Sequence, residues 1–360
     1  MLLDAIKDRT KWIEILGELP IELRDIYFNP DYVRLNCTHN DSQAYLFVYK
    51  KKEKIWINPF IKIKTPIYVK NIKKIFYDLE TPYGYGGPIS NSNDREFINN
   101  GNEKFLEWVK DSNILAEFIR FHPLFNTNQY AHTSVKIIED RTTCSLNLEL
   151  VNEKFEPFKS KVKNMIRIAK RNKLSVKISK SKEDFDFFKK IYINLMFKKK
   201  AEKNLFFEEN YFENLFNLIV SCGITVIVKH QDQNIAAGIF LYGEKFLHYH
   251  LSASDLHLRK NGTFNLMIYE AAMYGKKIGL KTLHLGGGNL KKHNDSLFKF
   301  KSSMSTHQHI FMIGKRINNL KIYNNNVKQW KIKYPLLSKT YRNRLLCYHL
   351  NASILSTNNL

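Results

Sequence analysis

Runs that alternate apolar and polar residues give way repeatedly to stretches whose apolar positions recur every three or four residues. Period two marks a half-buried strand and period 3.6 an amphipathic helix. An opening helix carries its apolar side on residues 12–16. Strands are predicted at 32–35, 44–49 and 55–63, the last two joined by a basic turn at 50–54. A helix over 94–110 offers Phe97, Phe105 and Trp108 for burial. A strand follows at 115–124, with Arg120 and His122 on one face and Glu117 on the other. Strand-like runs at 135–138 and 144–150 complete this half of the chain.

The second half repeats the alternation. Residues 156–172 form a basic amphipathic helix with Pro157 in its first turn. Lys159, Lys163, Arg167 and Lys170 make one stripe of it, and Phe158, Val162, Met165 and Ala169 the other. A strand at 175–178 leads to Ser181, a helix cap, and a helix over 182–200. A helix at 207–220 precedes a hairpin of strands 225–229 and 236–242. The strand 246–252 places His248 and His250 on one face. A helix over 265–277 stops at Gly279, and a strand at 282–285 runs into Gly286, Gly287 and Gly288. Asn294 or Asp295 caps a helix bearing Phe298, Phe300, Lys301 and Met304. A strand at 309–315 and helices near 328–333 and 341–350 end the chain. This order predicts an α/β protein with mixed sheets in two units, 1–150 and 151–320, the first completed by 321–360.

Composition narrows the class. With 360 residues, 44% of them hydrophobic, the chain can bury two ordinary cores. Lys and Arg number 57 against 34 acidic residues, a formal charge of +23. That excess suits nucleic acid, an anionic membrane face or phosphate-bearing substrates, but a Lys-, Asn- and Ile-rich composition produces it too, so charge alone chooses nothing. Cys37, Cys144, Cys222 and Cys347 are far apart and make no C-x-x-C pair, which argues against a zinc site or a disulfide framework and for a reduced cytoplasmic setting. No metal site is expected. The longest apolar stretch, 216–228, is too short to span a bilayer. A soluble protein is expected, with peripheral contact to the cytoplasmic membrane face open to it.

Three stretches carry candidate chemistry. TPYGYGGP at 81–88 packs two prolines, three glycines and two tyrosines into a shaped loop, either a functional surface or a turn whose tyrosines join the core. Arg259, Lys260, Asn261, Gly262 and Thr263 precede a helix, where backbone N–H groups and the helix dipole favour an anion and a glycine admits close approach. The triple glycine 286–288 lies between strand and helix, serving a ligand or simply a tight connection.

The R-x-x-G-x spacing between a strand and a helix resembles the pyrophosphate loop of GNAT acetyltransferases, with Phe264 departing from the small residue expected last. More specifically the chain resembles the FemA/FemB/FemX-like branch, whose members carry two tandem GNAT-like domains. TPYGYGGP at 81–88, RFHPL at 120–124, NMIRIAKRN at 164–172, IYINLMFKKKA at 191–201, HYHLSAS at 248–254 and LGGGNLKKHNDSLFKFKSSMS at 285–305 carry the resemblance. It implies an acyltransferase acting on an amino group of a cell-envelope saccharide or peptidoglycan precursor, nucleotide- or lipid-linked. Acyl-CoA or aminoacyl-tRNA would be co-substrate, with no tightly bound cofactor. It implies that Lys301, beside Phe300, holds the donor and polarises its carbonyl, with Arg259, Lys260, Gly262 and Thr263 binding the donor. Tyr83, Tyr85, Gly86, Arg120, His122, Arg167 and Gly286–Gly288 would line the acceptor side. The general base is open: Glu244 falls in a turn, and His250 is the best titratable candidate because an ordinary histidine titrates near neutral pH. A non-catalytic nucleic-acid-binding protein is the alternative of another class, but 156–172 offers it only Phe158 as a stacking aromatic.

Overall fold

The computed structural model describes residues 1–37, 41–199, 206–289 and 295–351. Lys200, Ala201 and the cap candidate Asn294 lie outside the described residues. The chain divides into two compact units: residues 1–23, 27–140 and 311–360 make the first, and residues 24–26 and 141–310 the second.

The first unit opens with β1 (Leu2–Asp4), α1 (Arg9–Gly17) and α2 (Pro30–Leu35). A strand is predicted at 32–35 where α2 stands. Asn29 explains it, since its side chain accepts from the Asp31 N–H at 2.8 Å and Pro30 occupies the first helical position. These helix-start signals outweigh a short apolar run. The strands β2 (Gln43–Lys51), β3 (Lys54–Lys64) and β4 (Tyr77–Glu80) form an antiparallel meander, with β5 (Ile89–Ser90) added to β3. Then α3 (Arg95–Asp111), capped by Asp94, returns the chain to β6 (Ile114–Arg120), which pairs parallel with β4. Phe97, Phe105 and Val109 of α3 pack with Phe47, Trp56 and Phe60 of the sheet, as the 3.6 periodicity requires.

The runs at 135–138 and 144–150 are one strand, β7 (Lys136–Asn147), which passes from the first unit into the second at Arg141. In the second unit α4 (Ser160–Arg171) starts later than predicted: Lys159 is its extended N-cap residue, so Pro157 precedes the helix and is not in its first turn. Then come β8 (Leu174–Ser179), α5 (Lys182–Lys198), α6 (Glu209–Cys222), β9 (Gly223–His230), β10 (Gln233–Tyr242) and β11 (Phe246–Ser254). The helix α7 (Thr263–Lys277) crosses to β12 (Thr282–Gly287), parallel to β11, and α8 (Ser296–Ser303) follows. The sheet order in this unit is β7-β12-β11-β10-β9-β8. Leu247, Leu283 and Leu285 face Leu266, Met267, Ala271 and Ile166, so α7 and α4 cover that side of the sheet.

The chain re-enters the first unit through β13 (His307–Ile317), antiparallel to β6 from Ile313↔Arg120 to Ile317↔Ala116. Each unit therefore has one parallel pair joined by a helix, and each closes with an antiparallel strand: β13 beside β6, β7 beside β12. Last come α9 (Leu320–Lys333) and α10 (Pro335–Tyr341). A helix over 341–350 is not formed. The chain leaves α10 at Arg342 and makes only a single 3-10 turn at Cys347–His349, whose Tyr348 is buried and donates to Asp78 Oδ1 at 2.8 Å.

Candidate active site

The parallel ladder between β11 and β12 is short. It runs only from Phe246↔Thr282 to His248↔His284, although β11 continues to Ser254 and β12 to Gly287. Beyond it each strand keeps its antiparallel neighbour: β11 follows β10 with a register shift at Tyr249–Leu251, and β12 follows β7 through Gly286↔Cys144 and Gly287↔Thr143. The two strands part at their carboxyl ends, the place where open α/β sheets bind ligands.

Lys301 reaches this opening from α8. Its Nζ donates to the Gly287 carbonyl oxygen at 2.9 Å and lies 5.8 Å from the centre of the Tyr249 ring, so it touches both parted strands. Burial pushes its pKa down to about 8, against the smaller opposing pull of Cys144 and Asp295. The position of α8 is set by Asp295, whose Oδ1 accepts from the Phe298 N–H at 2.8 Å and Oδ2 from the Asn289 N–H at 2.9 Å. Capping accounts for Asp295. Arg141 holds the far side of the turn, donating to Gly288 O at 2.8 Å. Sequence patterning gives no sign of Arg141 or Tyr249, because their place depends on strand pairings distant along the chain. Phe300 is half-buried against the core of this unit.

The three glycines answer to the fold. Gly286 has φ +73°, Gly287 ends β12 with Thr142 O 3.0 Å from where a Cβ would stand, and at Gly288 a Cβ would meet Asp295 Oδ1 at 2.6 Å. Gly262 likewise has φ +84°, and its Cβ would fall 2.2 Å from Met165 O of α4. The close approach expected there is made by a neighbouring helix. Thr263 is buried, and its hydroxyl donates to Lys260 O at 2.7 Å, closing the loop on itself. Arg259 and Lys260 stand exposed at the start of α7. Arg167 is exposed on α4, 5.7 Å from the Phe155 ring, while Lys163 and Lys170 of the same stripe pair with Glu156 and Glu270.

His250 Nε2 lies 2.9 Å from the Tyr211 hydroxyl. Burial, with His248 adding to it, drives the His250 pKa down to about 3. The premise that it titrates near neutrality fails, since desolvation disfavours the imidazolium. His248 is not equivalent to it: it is buried, with Nε2 2.8 Å from Asp25 Oδ2, both in the second unit.

The first unit holds the remaining candidates. Tyr83 is 52% exposed, and its carbonyl accepts from the Tyr32 hydroxyl at 2.7 Å. Tyr85 is buried against Tyr27, His122 and Phe311, and His122 is buried and stacked 4.2 Å from Phe125. Both support the loop from behind, as the core-packing alternative for 81–88 requires. Gly86 O accepts from Thr127 Oγ1 at 2.7 Å, and Arg120 Nη1 donates to Thr81 O at 2.9 Å. Two donors thus pin the loop at either end, leaving Tyr83 as its outward aromatic.

No protein-family model and no curated protein sequence matches the chain. Solved structures do. The chain is similar in fold to FemX. The match has a TM-score of 0.65 at 13% identity and covers 88% of this chain and 98% of FemX. L-PGS from Bacillus licheniformis matches with a TM-score of 0.58 at 13% identity over 90% of this chain and 96% of that one. The mixed α/β fold and the FemX-like architecture read from the sequence are those of the structure.

Proposed function

We propose that the protein is an acyltransferase that moves an acyl group from an activated carbonyl, acyl-CoA in the first reading, to an amino group of a nucleotide- or lipid-linked cell-envelope precursor. One observation carries this reading: a half-buried lysine stands across the opening between the parted strands, on a sheet with the fold of FemX. The amine attacks the donor carbonyl carbon, a C–N bond forms, and the C–S bond of the thioester breaks. The thiolate leaves and is neutralised by the proton that the amine gives up. The Lys301 cation faces the oxygen on which charge develops, an effect strongest where water is excluded. Arg259 and Lys260 supply positive charge at the α7 N-terminus for the donor's phosphates.

Aminoacyl-tRNA as donor is the second reading, favoured by the +23 charge and by the FemX likeness. Calorimetric titration with acetyl-CoA and, separately, with a mixed aminoacyl-tRNA pool distinguishes them. Saturable acetyl-CoA binding, weakened in Arg259→Ala/Lys260→Ala, is the expected result. Salt-sensitive tRNA binding without CoA binding would move the donor to aminoacyl-tRNA. Binding of neither, with no acyl transfer from either donor, would end the transferase reading. Gly262→Asp is no test, because its side chain would strike the backbone of α4.

A further inference from the structure

The end of the first unit has a surface that the transfer reading does not use. The segment 64–76 contains four lysines and the stretch 318–344 seven Lys or Arg, and neither contains an acidic residue. All eleven basic side chains are exposed. The two segments are fastened together: Asn326 of α9 donates to Pro66 O at 2.9 Å and accepts from the Tyr68 N–H at 2.7 Å, and Lys333 lies 5.2 Å from the Tyr68 ring. Among these cations stand aliphatic side chains that a folded surface ordinarily covers. Ile75, Leu320, Ile332 and Leu336 are 52–66% exposed.

The pattern on α9 separates two faces. Ile322, Tyr323, Val327 and Trp330 turn inward onto Phe76 and Tyr348. Lys321, Lys328 and Ile332, spaced by seven and four, share an outward stripe with Leu320 and Lys331 to one side. An outer face of lysine and aliphatic residues is the composition of helices that lie in a membrane interface. Surfaces for RNA pair their cations with outward aromatic platforms. Here Trp330 and Tyr348 are fully buried, and the half-buried Tyr68, Tyr334 and Tyr341 have Lys333 or Arg344 over their rings. The 64–76 segment also lines a groove of about 590 Å³, where Lys64, Lys73 and Lys74 outnumber a single carboxylate, Asp41, leaving room and net positive charge for an anionic headgroup.

We propose that α9, α10 and the 64–76 segment form a docking face for an anionic lipid bilayer, the aliphatic side chains entering the interface and the lysines meeting lipid phosphates. No helix among the described residues is long and apolar enough to cross a membrane, so this contact would be peripheral. Two weak signals acting together, apolar insertion and polybasic attraction, suffice for stable attachment.

Sedimentation of the whole chain with vesicles tests this without any donor or acceptor, so its failure leaves the transferase reading untouched. Binding is expected to vesicles of phosphatidylcholine mixed with phosphatidylglycerol, and not to phosphatidylcholine alone. Lys328→Gln and Lys331→Gln should each weaken binding roughly fivefold at low salt. Ile332→Ser/Leu336→Ser should lower the salt-resistant fraction. All four positions are exposed, so unchanged melting curves are expected. Equal binding to neutral vesicles, or none to anionic ones, overturns the proposal. So does loss of tRNA-pool binding in the lysine variants with vesicle binding unaffected, which would make the face an RNA surface.

Discussion

Lys301 Nζ hydrogen-bonds the carbonyl oxygen of Gly287 at 2.9 Å, on a strand that has already lost its parallel neighbour. The two facts are linked. Past His284 the β12 backbone has no β11 groups to pair with, so a polar group from elsewhere must satisfy it. The lysine does so, and is thereby held with its charge at the mouth of the opening. A donor carbonyl bound there would take the place of the Gly287 oxygen. Cys144, the β7 residue paired with Gly286, is buried with its thiol pKa raised, chiefly by burial, so it stays neutral beside the lysine.

The depressed pKa of Lys301 sets a pH signature. Only the cation stabilises an oxyanion, so transfer should fall as pH rises through about 8. Lys301→Met should lower kcat about 10²–10³-fold, the usual loss for one oxyanion donor. Lys301→Arg, charged at all accessible pH, should lose the alkaline fall. Stability gives an independent readout. The unfolded chain binds more protons at this site between pH 8 and the ordinary lysine value, so wild-type stability gains with pH across that window. Any excess in melting temperature of Lys301→Met over wild type should shrink over the same interval. A pH-independent gap would remove the desolvated cation from the account.

His250 should matter little to proton transfer. A base with pKa about 3 is neutral throughout the working range and a poor proton acceptor. His250→Asn is expected to change kcat by no more than a few-fold and to leave the profile between pH 5 and 8 unaltered. Loss of an acid limb in that profile would restore the histidine as general base.

The sequence reads well where local pattern and packing agree. Trp12, Phe97 and Phe105 lie where periodicity puts them, because burial follows the face of each helix, whereas β3 is buried on both faces from Ile55 to Ile61. It reads poorly where a single residue carries two explanations. Gly262 fits a phosphate loop and a helix crossing equally, and only the position of Met165 decides what approaches it. Tyr83 and Tyr85 are two residues apart in one motif, yet one is exposed and the other buried, since Gly84 at φ +94° turns the chain between them. Family likeness singles out Lys301, whereas Gly287 and Tyr249 beside it come from strand pairings that no local window contains.

Two glycines with the same backbone separate conformational strain from collision. Gly262 and Gly279 have φ of +84° and +87°, but a Cβ at Gly279 meets nothing within 4 Å. Gly279→Ala should cost about 1 kcal/mol for the left-handed backbone alone. Gly262→Ala should cost about 1–3 kcal/mol more, because Met165 and Ala169 of α4 must move. Urea denaturation of the two variants measures the difference. Equal losses would mean that α4 yields without cost.

Glu117 and Arg316 form a fully buried ion pair across β6 and β13, with the guanidinium 5.5 Å from the Phe105 ring. Burial pushes the Glu117 pKa up while Arg316 pulls against it. Arg316→Met leaves the buried carboxylate without a counter-charge, its remaining side-chain partner being Asn58, and should cost about 3–5 kcal/mol. The carboxyl pKa then rises further, so the folded variant binds more protons than its unfolded chain above the ordinary carboxylate range. Its stability should therefore recover as pH falls and decline as pH rises, opposite to the acid loss expected of salt-bridged carboxylates. Adding Glu117→Leu to Arg316→Met removes the stranded charge and should return most of the loss, since apolar replacement of a buried pair is often neutral. Denaturation midpoints of the single and double variants across pH decide it: a double variant no more stable than Arg316→Met alone would show that the pair's geometry, and not the uncompensated charge, holds β6 to β13.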